Sequence, residues 1–225
     1  CYMTKANDLT QGKVTQLVLK FYFPMLLTNM LQQMYNIVDT VIVGKGIGDN
    51  ALAAVGNMSS LTFLIFGFAM GLANGFSVII AQYFGAKDYA NLRRSVASSI
   101  VLSGVIGLVL TTVSVVFLHP TLVLLQTDSV IMHDGLVYGY LIFGGLITTI
   151  AYNLCSCILR ALGDSKTPFI AIIVSTIVNI ALDIFTIYVL KAGVAGAAIA
   201  TLTAQAISVL ICYSKLKKLS ILALE

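Results

Sequence analysis

Two aspartates stand inside apolar stretches of this chain: Asp39 in "YNIVDTVIVG" and Asp183 in "STIVNIALDIF". Each has polar company at helical spacing. Asn36, Tyr35, Gln32 and Thr28 fall on the side of Asp39, and Asn179 and Thr176 precede Asp183 by one and two turns. A carboxylate in mid-bilayer costs about 2.5–3.5 kcal/mol on insertion scales, so a chain that keeps two of them uses them, facing a cavity. A structural ion pair lacks its partner. No Lys or Arg lies in the membrane core of any predicted span, and Lys20 is about 28 Å along the helix from Asp39. Two chemistries fit. Burial and mutual repulsion disfavour charge on neighbouring carboxylates, so the pair can take up and release a proton. With Asn and Thr oxygens it also offers a hard, all-oxygen cage for an alkali cation such as Na⁺.

The elements that must position these groups follow from composition. Of 225 residues, 59% are hydrophobic and 10% charged, and the mean hydropathy is +0.98. A soluble domain carries roughly 25% charged residues, so this is a membrane protein. The apolar stretches are long enough to cross a ~30 Å hydrocarbon core as helices, which makes the fold all-α and polytopic. Six spans are predicted at 14–43, 51–83, 95–118, 135–159, 169–190 and 193–213, between tails 1–13 and 214–225. The polar opening "CYMTKANDLTQGK" has no signal-peptide pattern.

Eleven of the thirteen Lys and Arg residues fall on one side of these spans, leaving only Lys45 and Lys191 on the other. The positive-inside rule then puts both termini in the cytoplasm; the expected location is the plasma membrane. Asp39 and Asp183 come out level, about 7 to 11 Å below the outer ends of the first and fifth spans. Thr201, eight residues into the inward-running sixth span, reaches the same depth. Three helices therefore bring oxygen ligands together.

Other features read as structural. Gly67, Gly71 and Gly75 mark a face for close helix packing, and "GVAGAAIAT" (Gly193 to Thr201) a helix lining the bundle interior. Pro24 predicts a kink on the cytoplasmic side of the first span. Cys155, Cys157 and Cys212 lack metal-ligand spacing. His119, His133, Asp128 and Asp134 fall in a solvated outer loop. No His, Ser or Cys makes a triad-like arrangement with either carboxylate, which argues against an enzyme. The net charge of +4 is scattered between spans, so no nucleic acid is expected.

The motifs resemble those of the multidrug and toxic compound extrusion (MATE) transporters. They are Pro24 with "DTVIVG" (Asp39 to Gly44), "ALAAVG" (Ala51 to Gly56), "AQYFGAKD" (Ala81 to Asp88), "RALGDSKTP" (Arg160 to Pro168) and "NIALD" (Asn179 to Asp183) before "GVAGAAIAT". The resemblance implies a cation-coupled antiporter that expels small organic, often cationic, compounds by alternating access. It places the coupling cation, H⁺ or Na⁺, at Asp39, Asn179, Asp183 and Thr201, with no other cofactor. Gln32, Tyr35, Asn36 and Asn153 become candidates for the cavity lining, and Pro24 the bending point. It also implies twelve spans in two lobes, of which this chain carries the first six-helix lobe. The chain is then a fragment, or a half-length protein that pairs with itself or with another half. Two alternatives stay open: a lipid-linked precursor flippase of the same superfamily, and a non-transporting membrane subunit.

Overall fold

A computed structural model describes residues 14–219; the predicted tail 1–13 and the last part of the tail 214–225 lie outside the described residues. The chain is all-α. The elements are α1 (Val14–Gly46), α2 (Asp49–Gly85), α3 (Tyr89–Leu124), α4 (Ser129–Gly144), α5 (Leu146–Ala161), α6 (Lys166–Ile184) with a π-helical turn (Phe185–Val189), and α7 (Gly193–Lys217).

Loop carboxylates start several of these helices by accepting backbone N–H groups that would otherwise lack partners. Asp88 accepts from Asn91 N at 3.2 Å and opens α3, and Asp128 accepts from Val130 N at 3.1 Å and opens α4. Asp164 accepts from Lys166 N and Thr167 N at the start of α6. These acids have structural work at the helix ends. Asp39 and Asp183 have none of that kind.

α2, α3, α6 with its π turn, and α7 are each long and apolar enough to cross a membrane. Only 11% of the apolar window of α3 is buried within the protein, so the remainder is suited to lipid contact. α4 and α5, which meet at a 45° bend, are long and apolar enough to cross only when taken together. The fourth predicted span, 135–159, is therefore not one straight helix. It breaks at Gly145, and its outer half begins earlier, at Ser129. α1 is long enough to cross but falls short of the same apolarity, because Asn29, Gln32, Gln33, Asn36 and Asp39 interrupt it.

α6 packs along α7, α5 lies between α2 and α7, and α1 leans on α6 with lighter contact to α2. One apolar cluster joins Ile80, Leu92, Leu159, Ala171 and Cys212 at the end where α2 meets α3. A second joins Met58, Leu118, Leu122, Phe143 and Ala198 towards the opposite end. A third, of Val43, Ala51, Val55, Ile187, Val194 and Ala197, surrounds the last turns of α1 and α6.

The glycines correct one expectation. A Cβ on Gly67, Gly71 or Gly75 would meet nothing within 4 Å, so within this chain that face of α2 is open and not packed against a helix. Close approach occurs elsewhere. A Cβ on Gly145, at the bend, would run into the Leu202 side chain of α7, whose Cγ stands 2.9 Å away. Gly144, one residue earlier, faces open space.

This contrast generates a prediction. Gly145→Ala forces Leu202 aside at the α4–α5 bend and should cost about 1–3 kcal/mol. Gly144→Ala should be neutral or slightly stabilising, because Ala is the better helix former. Thermal unfolding in detergent micelles compares the two directly; equal midpoints would mean that Leu202 does not hold the bend.

Candidate functional site

Asp39 leaves α1 and Asp183 leaves α6 at the end of the bundle wrapped by the third apolar cluster. Asp183 and Asn179 are both fully buried (0% exposed), and Asp39 is half-buried. The two carboxyl groups lie in hydrogen-bonding contact with each other. Each also keeps one buried oxygen, Oδ1, without a hydrogen-bond partner among the described residues.

The flanking groups are polar and uncharged. With its amide nitrogen turned to Asp183, Asn179 donates to Asp183 Oδ2 at 2.8 Å and accepts from Thr201 N at 3.2 Å. This orientation satisfies both ends of the amide. Tyr35 donates its hydroxyl to Thr201 Oγ1 at 3.3 Å, which ties α1 to α7. Asn179 precedes Asp183 by one turn, so one face of α6 supplies both. The small residues of α7 (Gly196, Ala197, Ala198, Ala200) are buried, allowing close approach around Thr201.

Two features of the site have no counterpart in the sequence reading. Tyr138 of α4 lies within electrostatic reach of Asp39, Tyr35 and Asp183, adding a phenol from a fourth helix. Nothing local marks it, since an aromatic residue on an apolar helix reads as core. The other is the π turn directly after Asp183. Leu190 N bonds Phe185 O at 3.0 Å, Ala192 N bonds Thr186 O at 2.9 Å, and buried Thr186 sits where a Cβ on Gly196 would be, at 2.9 Å. Such turns concentrate at functional sites. Here it closes α6 against the first turn of α7.

The remaining candidates separate. Gln32 is half-buried on α1, two turns before Asp39. Asn36 is exposed and donates to Gln33 Oε1 at 3.3 Å, so it does not join the aspartates. Asn153 is buried elsewhere, donating to Thr149 O at 2.9 Å on its own helix, where Thr149 bonds Gln205 of α7. Its hydrogen bond belongs to the α5–α7 seam, not to the carboxyl pair. α1 runs unbroken through Pro24, and Thr28 donates its hydroxyl to Pro24 O at 2.7 Å. Among the described residues no group of three or more His, Cys, Asp or Glu is placed to hold a metal. The predicted outer loop is shorter than expected, because α3 and α4 run on past the predicted spans: His119 lies in α3, and His133 and Asp134 in α4.

Chemically, two carboxyls in contact within apolar surroundings repel unless a proton or a metal cation stands between them. Asn179, Thr201, Tyr35 and Tyr138 supply neutral oxygens and donors around that position, with no fixed counter-charge among the described residues.

Comparison with known proteins gives a consistent result. The family model MatE matches residues 24–185. Among curated proteins, the chain is 33% identical to the probable multidrug resistance protein YoeA of Bacillus subtilis (strain 168), over 88% of this chain and 44% of that protein. It is 31% identical to the probable multidrug resistance protein YpnP of the same organism, over 92% and 46%. The chain thus spans about half the length of the curated relatives it matches. Among solved structures, a MATE protein in a bent conformation superimposes with a TM-score of 0.84 at 28% identity, covering 89% of this chain and 45% of that one. A MATE structure in a straight conformation gives 0.87 at 28%, over 95% and 47%. A MOP superfamily transporter from Pyrococcus furiosus Vc1 (DSM3638) gives 0.88 at 28%, over 95% and 47%.

The Tyr35–Thr201 bond is open to a direct check. Thr201→Val keeps the shape and removes the acceptor, which should cost about 0.5–1.5 kcal/mol in thermal unfolding. Tyr35→Phe should cost a similar amount, and the double variant little more than either. Fully additive losses would mean that the two side chains do not interact.

Proposed function

The chain belongs to the MatE family, and from that premise we propose that it is the first six-helix lobe of a cation-coupled exporter of small organic compounds. Asp39 and Asp183 form its exchange site for the coupling cation, with Asn179, Thr201, Tyr35 and Tyr138 around it. The observation that carries this reading is the contact of two carboxyls in an apolar bundle, each with a buried oxygen left without a hydrogen-bond partner among the described residues. A mobile cation, H⁺ or Na⁺, is the partner that such a pair lacks.

Transport follows from linkage. A cation held between α1 and α6 stabilises the arrangement in which the two carboxyls touch, and its release favours one in which they part. α1 is suited to move because it leans mainly on α6, with much of its surface free of the other helices. The structural relatives described above include a MATE structure in a bent conformation and one in a straight conformation. In this chain Pro24, with Thr28 bonded to its carbonyl, is the proposed bending point. Alternating access needs a second lobe to rock against. That lobe is the rest of a longer chain or a second half-length chain, with both termini of the present segment cytoplasmic in the plasma membrane.

The test uses membrane vesicles carrying the intact transporter. Asp39→Asn and Asp183→Asn should each reduce gradient-driven ethidium transport to background while leaving the amount of folded protein unchanged. Imposing proton and sodium gradients separately identifies the coupling ion. Full transport by both variants contradicts the proposal.

A further inference from the structure

A second polar feature lies at the other end of the bundle, where α2 ends and α3 begins. There the two helices part around a cavity of about 320 Å³. Its walls differ in character. α3 contributes Asn91, Arg94, Ser95 and Ser98, while α2 contributes Phe76, Ile79 and Tyr83, and Leu102 lies at the end nearer the middle of α3. Arg94 stands about 8 Å into α3 from its first residue, at the depth where a long basic side chain reaches the headgroup layer while its stem stays among apolar groups.

The charge at the mouth is positive. Asp88 is the acid in electrostatic reach of Arg94, but both its oxygens are engaged by Asn91, through the backbone N at 3.2 Å and Nδ2 at 2.7 Å. Those bonds, the backbone one foremost, hold Asp88 below the usual carboxylate range, so it serves as a charged helix cap. Ser99 turns its hydroxyl back to Ser95 O at 2.7 Å, while the guanidinium of Arg94, the hydroxyls of Ser95 and Ser98 and the phenol of Tyr83 are donors in the lining. A guanidinium fork beside hydroxyls suits a phosphate.

The apolar side identifies what carries that phosphate. Leu102 is exposed (47%), and the surface continues along α3 through exposed Val101, Val105 and Leu108. The cavity is thus continuous with surface that faces hydrocarbon, and an acyl chain can run out of it without crossing a polar barrier. We propose that this cavity binds an anionic phospholipid, with its phosphate at Arg94, Ser95 and Ser98 and one chain passing Phe76 and Leu102. Basic pockets between membrane helices suit such headgroups. The site shares no residue with the carboxyl pair and stands independently of the transport reading.

Native mass spectrometry of the purified chain in detergent micelles tests it, with phosphatidylglycerol and phosphatidylcholine supplied at equal concentration. The wild type should retain phosphatidylglycerol in several-fold preference. Arg94→Gln should weaken that retention about tenfold, to the level of phosphatidylcholine. Arg94→Lys should keep part of the preference, and Leu102→Trp, at an exposed position, should lower retention of both lipids by filling the floor. Inorganic phosphate should not displace the lipid. Equal retention of the two lipids, a preference unchanged by Arg94→Gln, or displacement by inorganic phosphate would each overturn the assignment.

Discussion

Two carboxyl groups in contact inside an apolar bundle repel one another unless positive charge lies between them, and the rest of this structure is arranged around that constraint. Asp39 and Asp183 come from helices far apart in sequence, touch, and have no Lys or Arg against them among the described residues. Their neighbours are an amide, a threonine hydroxyl and two phenols, all neutral. A fixed cation would make the pair a rivet. Neutral surroundings leave the position open to a cation that comes and goes.

The bundle supports this pair by freeing other groups from competing with it. Loop acids at the starts of α3, α4 and α6 are engaged by backbone N–H groups, so their charge stays at the helix ends. Val43, Ile187, Val194 and Ala197 enclose the end of α1 and α6 that carries the aspartates, which keeps water from screening them. The π turn after Asp183 brings Thr186 against Gly196 and so anchors α6 to α7 directly beyond the site. α1 is held more loosely, by α6, by lighter contact with α2 and the π turn, and by the Tyr35–Thr201 hydrogen bond to α7. An asymmetric grip of this kind, firm on Asp183 and light on Asp39, is what the proposed exchange requires.

Much of this site was legible in the sequence because membrane helices impose depth and spacing together. Counting residues from the span ends places Asp39, Asp183 and Thr201 on one level, and the four-residue step from Asn179 puts it on the face of Asp183. Where a side chain points within the bundle was less legible, since a single helix does not reveal which neighbour it meets. Asn36 and Asn153 carry the right chemistry, yet one faces outward and the other bonds its own helix. Tyr138 was missed for the opposite reason: its type is common in cores. The break at Gly145 and the π turn depend on Leu202 and Thr186 packing across helices, which no local pattern in "FGGLITT" or "FTIYV" announces. The open face at Gly67, Gly71 and Gly75 shows the same limit, because small residues mark a place of close approach without naming what approaches.

Infrared difference spectroscopy of the purified chain, recorded across pH, follows the protonated carboxyl band and so reads the pair itself. The account predicts a band that titrates in the wild type, moves along the pH axis in Asp39→Asn and in Asp183→Asn, and disappears in the double variant. A titration identical in the wild type and both single variants would show that the two acids do not share a cation, and would contradict the account at its centre.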